Sequence, residues 1–138
     1  QASDLRTGSV GDIELEDSDT DVIEGVEVKH GIEIDLPILL RAKEKILKSS
    51  LKRYYILTTH PSCTAIHNDV LDVIRDVYST HGCQIIVNGI IPTIRYYLRM
   101  CSNPSDFINN YSKNIVSQSS VTTEHLEVWK AVQDKLNT

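Results

Sequence analysis

Apolar and polar residues alternate in two short segments near the start of the chain. Residues 10–17, VGDIELED, set Ile13 and Leu15 between acidic side chains, and residues 22–31, VIEGVEVKHG, alternate valines with charged side chains. A period of two predicts β-strands. The intervening DSDTD consists of residues that favour turns, so we predict an antiparallel hairpin. Gly25, inside the second strand, indicates a bulge or a close backbone approach.

Helical periodicity follows the hairpin. Asp35 is the expected N-cap of a helix that runs to about Ser49, and Pro37 fits its first turn because that position needs no N–H donor. The later segments predict a strand at 54–59, a helix at 64–80 ended by Gly82, a strand at 83–89, and helices at 92–101, 104–116 and 123–136. The order β-β-α-β-α-β-α-α-α predicts an α/β fold, with a mixed β-sheet flanked by helices and extra C-terminal helices.

Length and composition indicate a globular protein. We expect the 138 residues to form a single domain over 1–138, with a flexible segment at 1–10, and the apolar 41% and charged 24% are near globular averages. No apolar run reaches the length of a bilayer span, so we expect no membrane partner and a cytoplasmic location. The three cysteines are odd in number and lack C-x-x-C spacing, which predicts buried thiols rather than a disulfide frame or a zinc site.

The net charge of −5 is unevenly distributed along the chain. Residues 1–35 hold eleven acidic residues against two basic ones, whereas residues 36–53 hold six basic residues against one acidic one. The acidic balance argues against a protein that merely coats nucleic acid, but it allows an enzyme with a basic face for nucleic acid and an acidic one for cations. Lys43 and Lys48 on the basic helix are candidate DNA contacts, and the alternative is an ordinary solvated helix face.

Candidate chemistry lies in the hairpin. Glu27 and Lys29 project to the same side of the second strand, and Asp12 on the first strand comes close to them if the turn closes the hairpin. Two converging carboxylates, with the Val28 backbone carbonyl as a further oxygen, suit Mg²⁺. An ammonium group beside them can orient or deprotonate a water and stabilise phosphate charge, which suits phosphodiester hydrolysis. The alternatives are an ordinary charge pair on an exposed strand, and Asp21 as the first acid.

These residues resemble a known family. Asp12, fourteen intervening residues and then Glu27-Val28-Lys29 resemble the D…(D/E)-x-K motif of the PD-(D/E)xK nuclease superfamily, in the same setting of strand, turn, strand, helix and strand. Residues 11–59, with VEVKHGIEIDLPILLRAKEKI and RYYILTT, look most like a type II restriction endonuclease. A glycine stands where the motif name has Pro. The family core also has a helix and a strand before the Asp-bearing strand, so we expect this chain to be an N-terminally truncated piece.

The resemblance implies a restriction-endonuclease-like core with a role in restriction-modification. It implies Asp12, Glu27 and Lys29 as catalytic residues. Asp12, Glu27 and the Val28 backbone carbonyl would bind Mg²⁺, and Lys29 would be the base or the phosphate-orienting group. The implied substrate is double-stranded DNA, often cut by a homodimer. A repair nuclease or junction resolvase is a close variant. The alternative from another class is a non-catalytic nucleic-acid-binding or protein-interaction domain with a nuclease-like fold.

Two arginines in a later predicted helix are further candidates for DNA binding. Arg95 and Arg99 are four residues apart and therefore share a helix face. Together with Tyr96, Tyr97 and Lys113 they would form a DNA-facing surface or a dimer surface. The alternative for the tyrosines is packing in a core.

Overall fold

The computed structural model describes residues 11–19, 21–61 and 67–136. The elements follow the predicted order: β1 Ile13–Glu16, β2 Val22–Lys29, α1 Leu36–Ile46, β3 Arg53–Thr58, α2 Asn68–His81, β4 Gln84–Gly89, α3 Ile90–Met100, α4 Pro104–Ser117 and α5 Thr123–Leu136. The expected flexible segment 1–10 and the predicted helical residues 64–66 lie outside the described residues.

The strands form one mixed sheet in the order β1-β2-β3-β4. β1 pairs antiparallel with β2, which confirms the predicted hairpin, and β2, β3 and β4 pair in parallel. Parallel neighbours need crossover connections, which α1 and α2 supply. The predicted α/β class with a mixed sheet is therefore confirmed.

Both crossover helices pack on one face of the sheet. Tyr54 and Ile56 of β3 and Ile85 of β4 point into this core and are at most 4% exposed. Gly25 is the ladder partner of Tyr54, and Glu27 is the ladder partner of Ile56. Paired residues project to the same face, so Glu27 lies on the helix-covered side of the sheet. The helices contribute the buried residues Ile38, Leu39, Ala42, Ile46, Val70 and Val77.

Helix α1 begins as predicted and ends before the predicted residue. Asp35 caps its N-terminus, where the carboxylate accepts a hydrogen bond from the Ile38 N–H at 3.1 Å. The helix ends at Ile46 rather than near Ser49. The Ser49 N–H and hydroxyl both donate to the Ile46 carbonyl, at 3.0 and 2.8 Å. These bonds span three residues instead of the four of an α-helix, so they tighten the last turn. The chain then turns toward Leu51, which is fully buried in the core.

Gly25 marks the close approach of an aromatic ring rather than a bulge. The irregularity of the β1–β2 ladder lies elsewhere, between Leu15 and Glu16. A Cβ atom at Gly25 would lie 2.9 Å from the Cδ2 atom of Tyr54, closer than real Cβ contacts. Glycine is therefore required at this position because the buried Tyr54 ring occupies the space.

The described cysteines are free thiols in different surroundings. Cys83 is buried, as predicted. Burial raises the pKa of its thiol to about 11, although the positive charge of Lys52 acts to lower it. Cys101 is exposed, which corrects the prediction of a buried thiol. It follows the last residue of α3 and so has no core to face. Cys63 lies outside the described residues.

The chain divides into two compact units, with the boundary between Arg95 and Tyr96. In the second unit, α4 and α5 meet at Trp129, whose indole N–H donates to the Ser112 hydroxyl at 2.9 Å. The Tyr111 ring lies edge-on to Trp129, with 4.6 Å between the ring centroids. The expectation of one nuclease-like domain over 1–138 stays a prediction.

The helices are 11 to 14 residues long. Within the described ranges, none has both the length and the apolar character that crossing a membrane requires. The cytoplasmic location stays a prediction.

Candidate active site

Glu27 is a buried carboxylate that three side chains contact. The residue is 7% exposed. Its Oε1 atom contacts the Lys29 ammonium, and its Oε2 atom accepts hydrogen bonds from the Tyr54 hydroxyl at 2.5 Å and from Lys45 Nζ at 3.4 Å. Burying an ionised carboxylate is costly unless it is paired and hydrogen-bonded, and these contacts supply both conditions.

These neighbours determine the charge of Glu27. Burial raises the pKa of its carboxyl, because a low dielectric disfavours the charged form. The hydrogen bonds from Lys29 and Tyr54, together with the positive charges of Lys45 and Lys29, lower the pKa and outweigh burial. The pKa of Glu27 therefore lies below its ordinary value of 4.5, and the side chain is an anion at neutral pH.

Lys29 follows Glu27 by two residues and is the last residue of β2. Its ammonium reaches the Glu27 carboxylate, so the structure brings together the two residues that the E-x-K spacing places on one face. The Lys29 side chain is 23% exposed, whereas that of Glu27 is 10% exposed. The Lys29 side chain is therefore more accessible to solvent than the Glu27 side chain that it contacts.

Asp12 immediately precedes β1, and its Oδ2 atom accepts a hydrogen bond from the Val28 N–H at 2.7 Å. Backbone groups of successive strand residues point alternately to the two neighbouring strands. The Lys29 carbonyl accepts from Thr59, just after β3, so the Val28 carbonyl points toward the side of β1 and Asp12. The Asp12 carboxylate and the Val28 carbonyl thus lie on the same side of β2, beside the Glu27 backbone.

The loop after Lys29 is tied to the end of β3. The Thr58 hydroxyl donates to the Ile32 carbonyl at 2.6 Å, and the Thr59 hydroxyl accepts from the Gly31 N–H at 2.8 Å. His30 Nδ1 lies 3.1 Å from the same Thr59 hydroxyl. These bonds hold the backbone that follows Lys29 against the end of β3.

Asp21 lies too far along the chain to replace Asp12. It belongs to the hairpin turn, where its N–H donates to the Asp17 carboxylate at 3.1 Å and its carbonyl accepts from the Asp17 N–H at 3.0 Å. Asp21 and Glu27 are six positions apart, a span of roughly 20 Å at the rise of an extended strand. The structure therefore favours Asp12 as the first acid.

Glu27 and its three partners, Lys29, Lys45 and Tyr54, form what we call the cluster. The sequence patterns did not single out Lys45 and Tyr54. Lys45 has a weak sequence signal, because it directly precedes the buried Ile46 on a helix whose lysines otherwise suggest a solvated face. Tyr54 appears in the sequence only as an apolar strand residue. Its role depends on the parallel register that sets it beside Gly25, and no local pattern encodes that register.

The four candidate DNA contacts lie on two helices or just after them. Lys43 donates to the Asp76 carboxylate at 2.5 Å, so it joins α1 to α2. Lys48 is exposed in the turn after α1. Arg95 and Arg99 are both exposed, one turn apart on α3. Their role in binding DNA stays a prediction.

Oxygen ligands of the kind that a hard cation such as Mg²⁺ prefers are present at the site. Among the residues that the structure describes, no group of three or more His, Cys, Asp and Glu side chains could hold a metal ion. Mg²⁺ is commonly held by one or two carboxylates with waters, and Asp12, Glu27 and the Val28 carbonyl offer oxygen ligands of this kind. A carboxylate has about four lone-pair positions. An ion at Glu27 would therefore share the carboxylate with Tyr54 and compete with the two ammonium groups.

Comparisons of this chain with protein-family models, with curated proteins and with solved structures found no match.

Proposed function

We propose that this protein is an Mg²⁺-dependent endonuclease that hydrolyses phosphodiester bonds of double-stranded DNA, of the restriction type. The observation that carries the proposal is the buried Glu27 in contact with Lys29, with the Asp12 carboxylate hydrogen-bonded to the N–H of Val28 between them. The resemblance of these residues to the PD-(D/E)xK motif supports the same function. The mixed sheet that presents them is consistent with a restriction-endonuclease-like core.

Lys29 is the proposed base or phosphate-orienting group. Its side chain is 23% exposed, so its ammonium can turn to a scissile phosphate when a cation takes its place at Glu27. A positioned ammonium stabilises negative charge that develops on a phosphate during hydrolysis. In the basic form, the same nitrogen can accept a proton from an attacking water.

Asp12, Glu27 and the Val28 carbonyl are the residues that would hold Mg²⁺. When bound, the ion supplies a more acidic water and charge stabilisation at the phosphate. Asp12 is exposed and so remains accessible to an ion from solution. Its contact with the Val28 N–H fixes its carboxylate at the edge of β2.

The charge of the cluster supports an anionic substrate. Two ammonium groups, from Lys29 and Lys45, surround the single buried carboxylate of Glu27. An ammonium group that a cation displaces from Glu27 can pair with a phosphate oxygen instead. Lys48, Arg95 and Arg99 are further proposed contacts to the DNA backbone, and Lys43 would contact it only by leaving Asp76. A homodimer is part of the same proposal.

Titration calorimetry with Mn²⁺ tests the proposed cation site. We expect the chain to bind Mn²⁺, and we expect Asp12→Asn and Glu27→Gln to abolish binding. Both variants keep the shape of the side chain and a hydrogen-bond acceptor while removing the charge. Glu24→Gln is the matched control, because Glu24 lies on the same strand but pairs with Arg53. Absence of Mn²⁺ binding at millimolar concentrations would contradict the proposal.

The saturated environment of Glu27 favours a second candidate, a non-catalytic nucleic-acid-binding or protein-interaction domain. Lys29, Lys45 and Tyr54 already compensate this carboxylate, as they would in an ion-pair network that only stabilises the fold. This candidate predicts that the chain binds no divalent cation and that Glu27→Gln changes its stability alone. The same Mn²⁺ titration therefore separates the two candidates.

A further inference from the structure

We infer that Tyr54 is a positioning residue of this site, which holds the Glu27 carboxylate in the orientation that receives the cation. Gly25 provides the space for its ring. The inference deepens the proposed function and rests on it, since it concerns the same cation ligand.

The register of the sheet places Tyr54 beside Gly25. The two are ladder partners in the parallel β2–β3 pair, and Glu27 follows two positions along the same face of β2. An ideal Cβ at Gly25 would lie 2.9 Å from Cδ2 and 3.0 Å from Cε2 of Tyr54. One edge of the tyrosine ring therefore lies directly against the Gly25 backbone, and the ring extends along β2 toward Glu27.

The position of the Tyr54 hydroxyl is fixed by packing. Tyr54 and Leu51 are both 0% exposed, and both lie next to Gly25. A close-packed ring of this kind has few alternative rotamers. Its hydroxyl donates to Glu27 Oε2 at 2.5 Å, so the direction of the carboxylate depends on where the ring is held.

Tyr54 differs from the other two partners of Glu27 because it is neutral. A divalent cation would repel the ammonium groups of Lys29 and Lys45, but it would not repel the Tyr54 hydroxyl. Tyr54 is therefore the contact that can persist when the ammonium groups move away. Partners that orient a ligand in this way contribute to metal affinity although they do not touch the metal.

Mn²⁺ titration of the whole chain with Tyr54→Phe tests the inference. The variant keeps the ring and removes the hydroxyl, so we expect Mn²⁺ affinity to fall about 10- to 100-fold. Tyr55→Phe is the matched control, because it is the next residue on the same strand and faces the opposite side of the sheet. We expect the control to bind Mn²⁺ like the wild type.

Two further readouts separate positioning from a merely structural role. Mn²⁺ binding should change the near-UV absorbance of the tyrosine that contacts the ligand carboxylate, and this signal should vanish in Tyr54→Phe but not in Tyr55→Phe. Gly25→Ala should also weaken Mn²⁺ binding, because it displaces the Tyr54 ring. In a Tyr54→Phe background the added loss should be small, since both changes act through one contact.

The outcomes distinguish the inference from the proposed function. If the wild type binds Mn²⁺ and Tyr54→Phe binds it equally well, the inference is overturned and the proposed function stands. If the wild type binds no Mn²⁺, the proposed function is overturned, and the inference with it. Should Tyr54→Phe not fold, as judged by circular dichroism, wild-type affinity in Gly25→Ala overturns the inference instead.

Discussion

At the scale of single residues, three elements converge on the Glu27 carboxylate. Lys29 comes from the same strand, Tyr54 from the neighbouring strand β3 and Lys45 from helix α1. The carboxylate is buried, so each lost partner leaves a polar atom with weaker compensation. All three contacts form only when β2, β3 and α1 have their native arrangement.

Gly25→Ala tests the packing that supports this carboxylate. The added methyl group would meet two ring atoms of the fully buried Tyr54 at 3.0 Å or less. Overpacking of a core destabilises by about 1–3 kcal/mol, and we expect the free energy of unfolding to fall by that amount. Urea denaturation measures it. An unchanged midpoint would show that the ring can move without cost.

At the scale of elements, helix α1 delivers one of the ammonium groups to the site. Its stripe of Leu39, Ala42 and Ile46 packs into the core, and this fixes the helix on the sheet. Lys45 borders the stripe and reaches Glu27, whereas Lys43 reaches Asp76 on α2. The orientation of α1 about its own axis therefore places Lys45, and not Lys43, at the site.

Asp35→Ala tests the start of that helix. The Asp35 side chain accepts from the Ile38 N–H at 3.1 Å, and loss of such an N-cap costs about 1 kcal/mol. We expect a loss of that size in the free energy of unfolding. Glu44→Ala is the control, because Glu44 is exposed on the same helix, and its effect should stay within about 0.5 kcal/mol. Equal effects of the two variants would contradict the capping role.

Local patterns predicted the elements of the fold better than they predicted the site. The period-two alternation around Ile13 predicted the hairpin, and Asp35 predicted the start of α1, because both signals act over a few residues. The contact of Tyr54 with Glu27 could not be predicted in this way. It depends on the parallel pairing of β2 with β3, which α1 separates in the sequence. Packing of the core, rather than a short turn, sets the register of this pair. The early end of α1 likewise follows from burial of Leu51.

At the scale of the whole molecule, the elements that carry the cluster all lie in the first compact unit. β1, β2, α1 and β3 precede the boundary at Arg95. The cluster combines a buried anion with two cations, so its charge state contributes to the stability of this unit. The dependence of that stability on pH follows from the direction of the Glu27 pKa shift.

Acid unfolding tests the charge of Glu27. The folded state holds the pKa of Glu27 below its ordinary value of 4.5, so folding favours the ionised form. This contribution is fully present above the ordinary value and is lost as pH falls through the lower pKa of the folded state. We therefore expect the thermal stability of Glu27→Gln to be lowest relative to the wild type at neutral pH. The difference should shrink in acid, and a difference that is constant with pH would contradict the assignment.

The most direct measurement of the central claim is cleavage of duplex DNA by the full-length protein in the presence of Mg²⁺. We predict that the wild type cuts, and that Lys29→Ala stops cutting while DNA binding largely remains. Lys130→Ala, at a position in α5 remote in sequence from the hairpin, is the control and should cut like the wild type. Normal cutting by Lys29→Ala, or the absence of cutting by the wild type, would contradict the account.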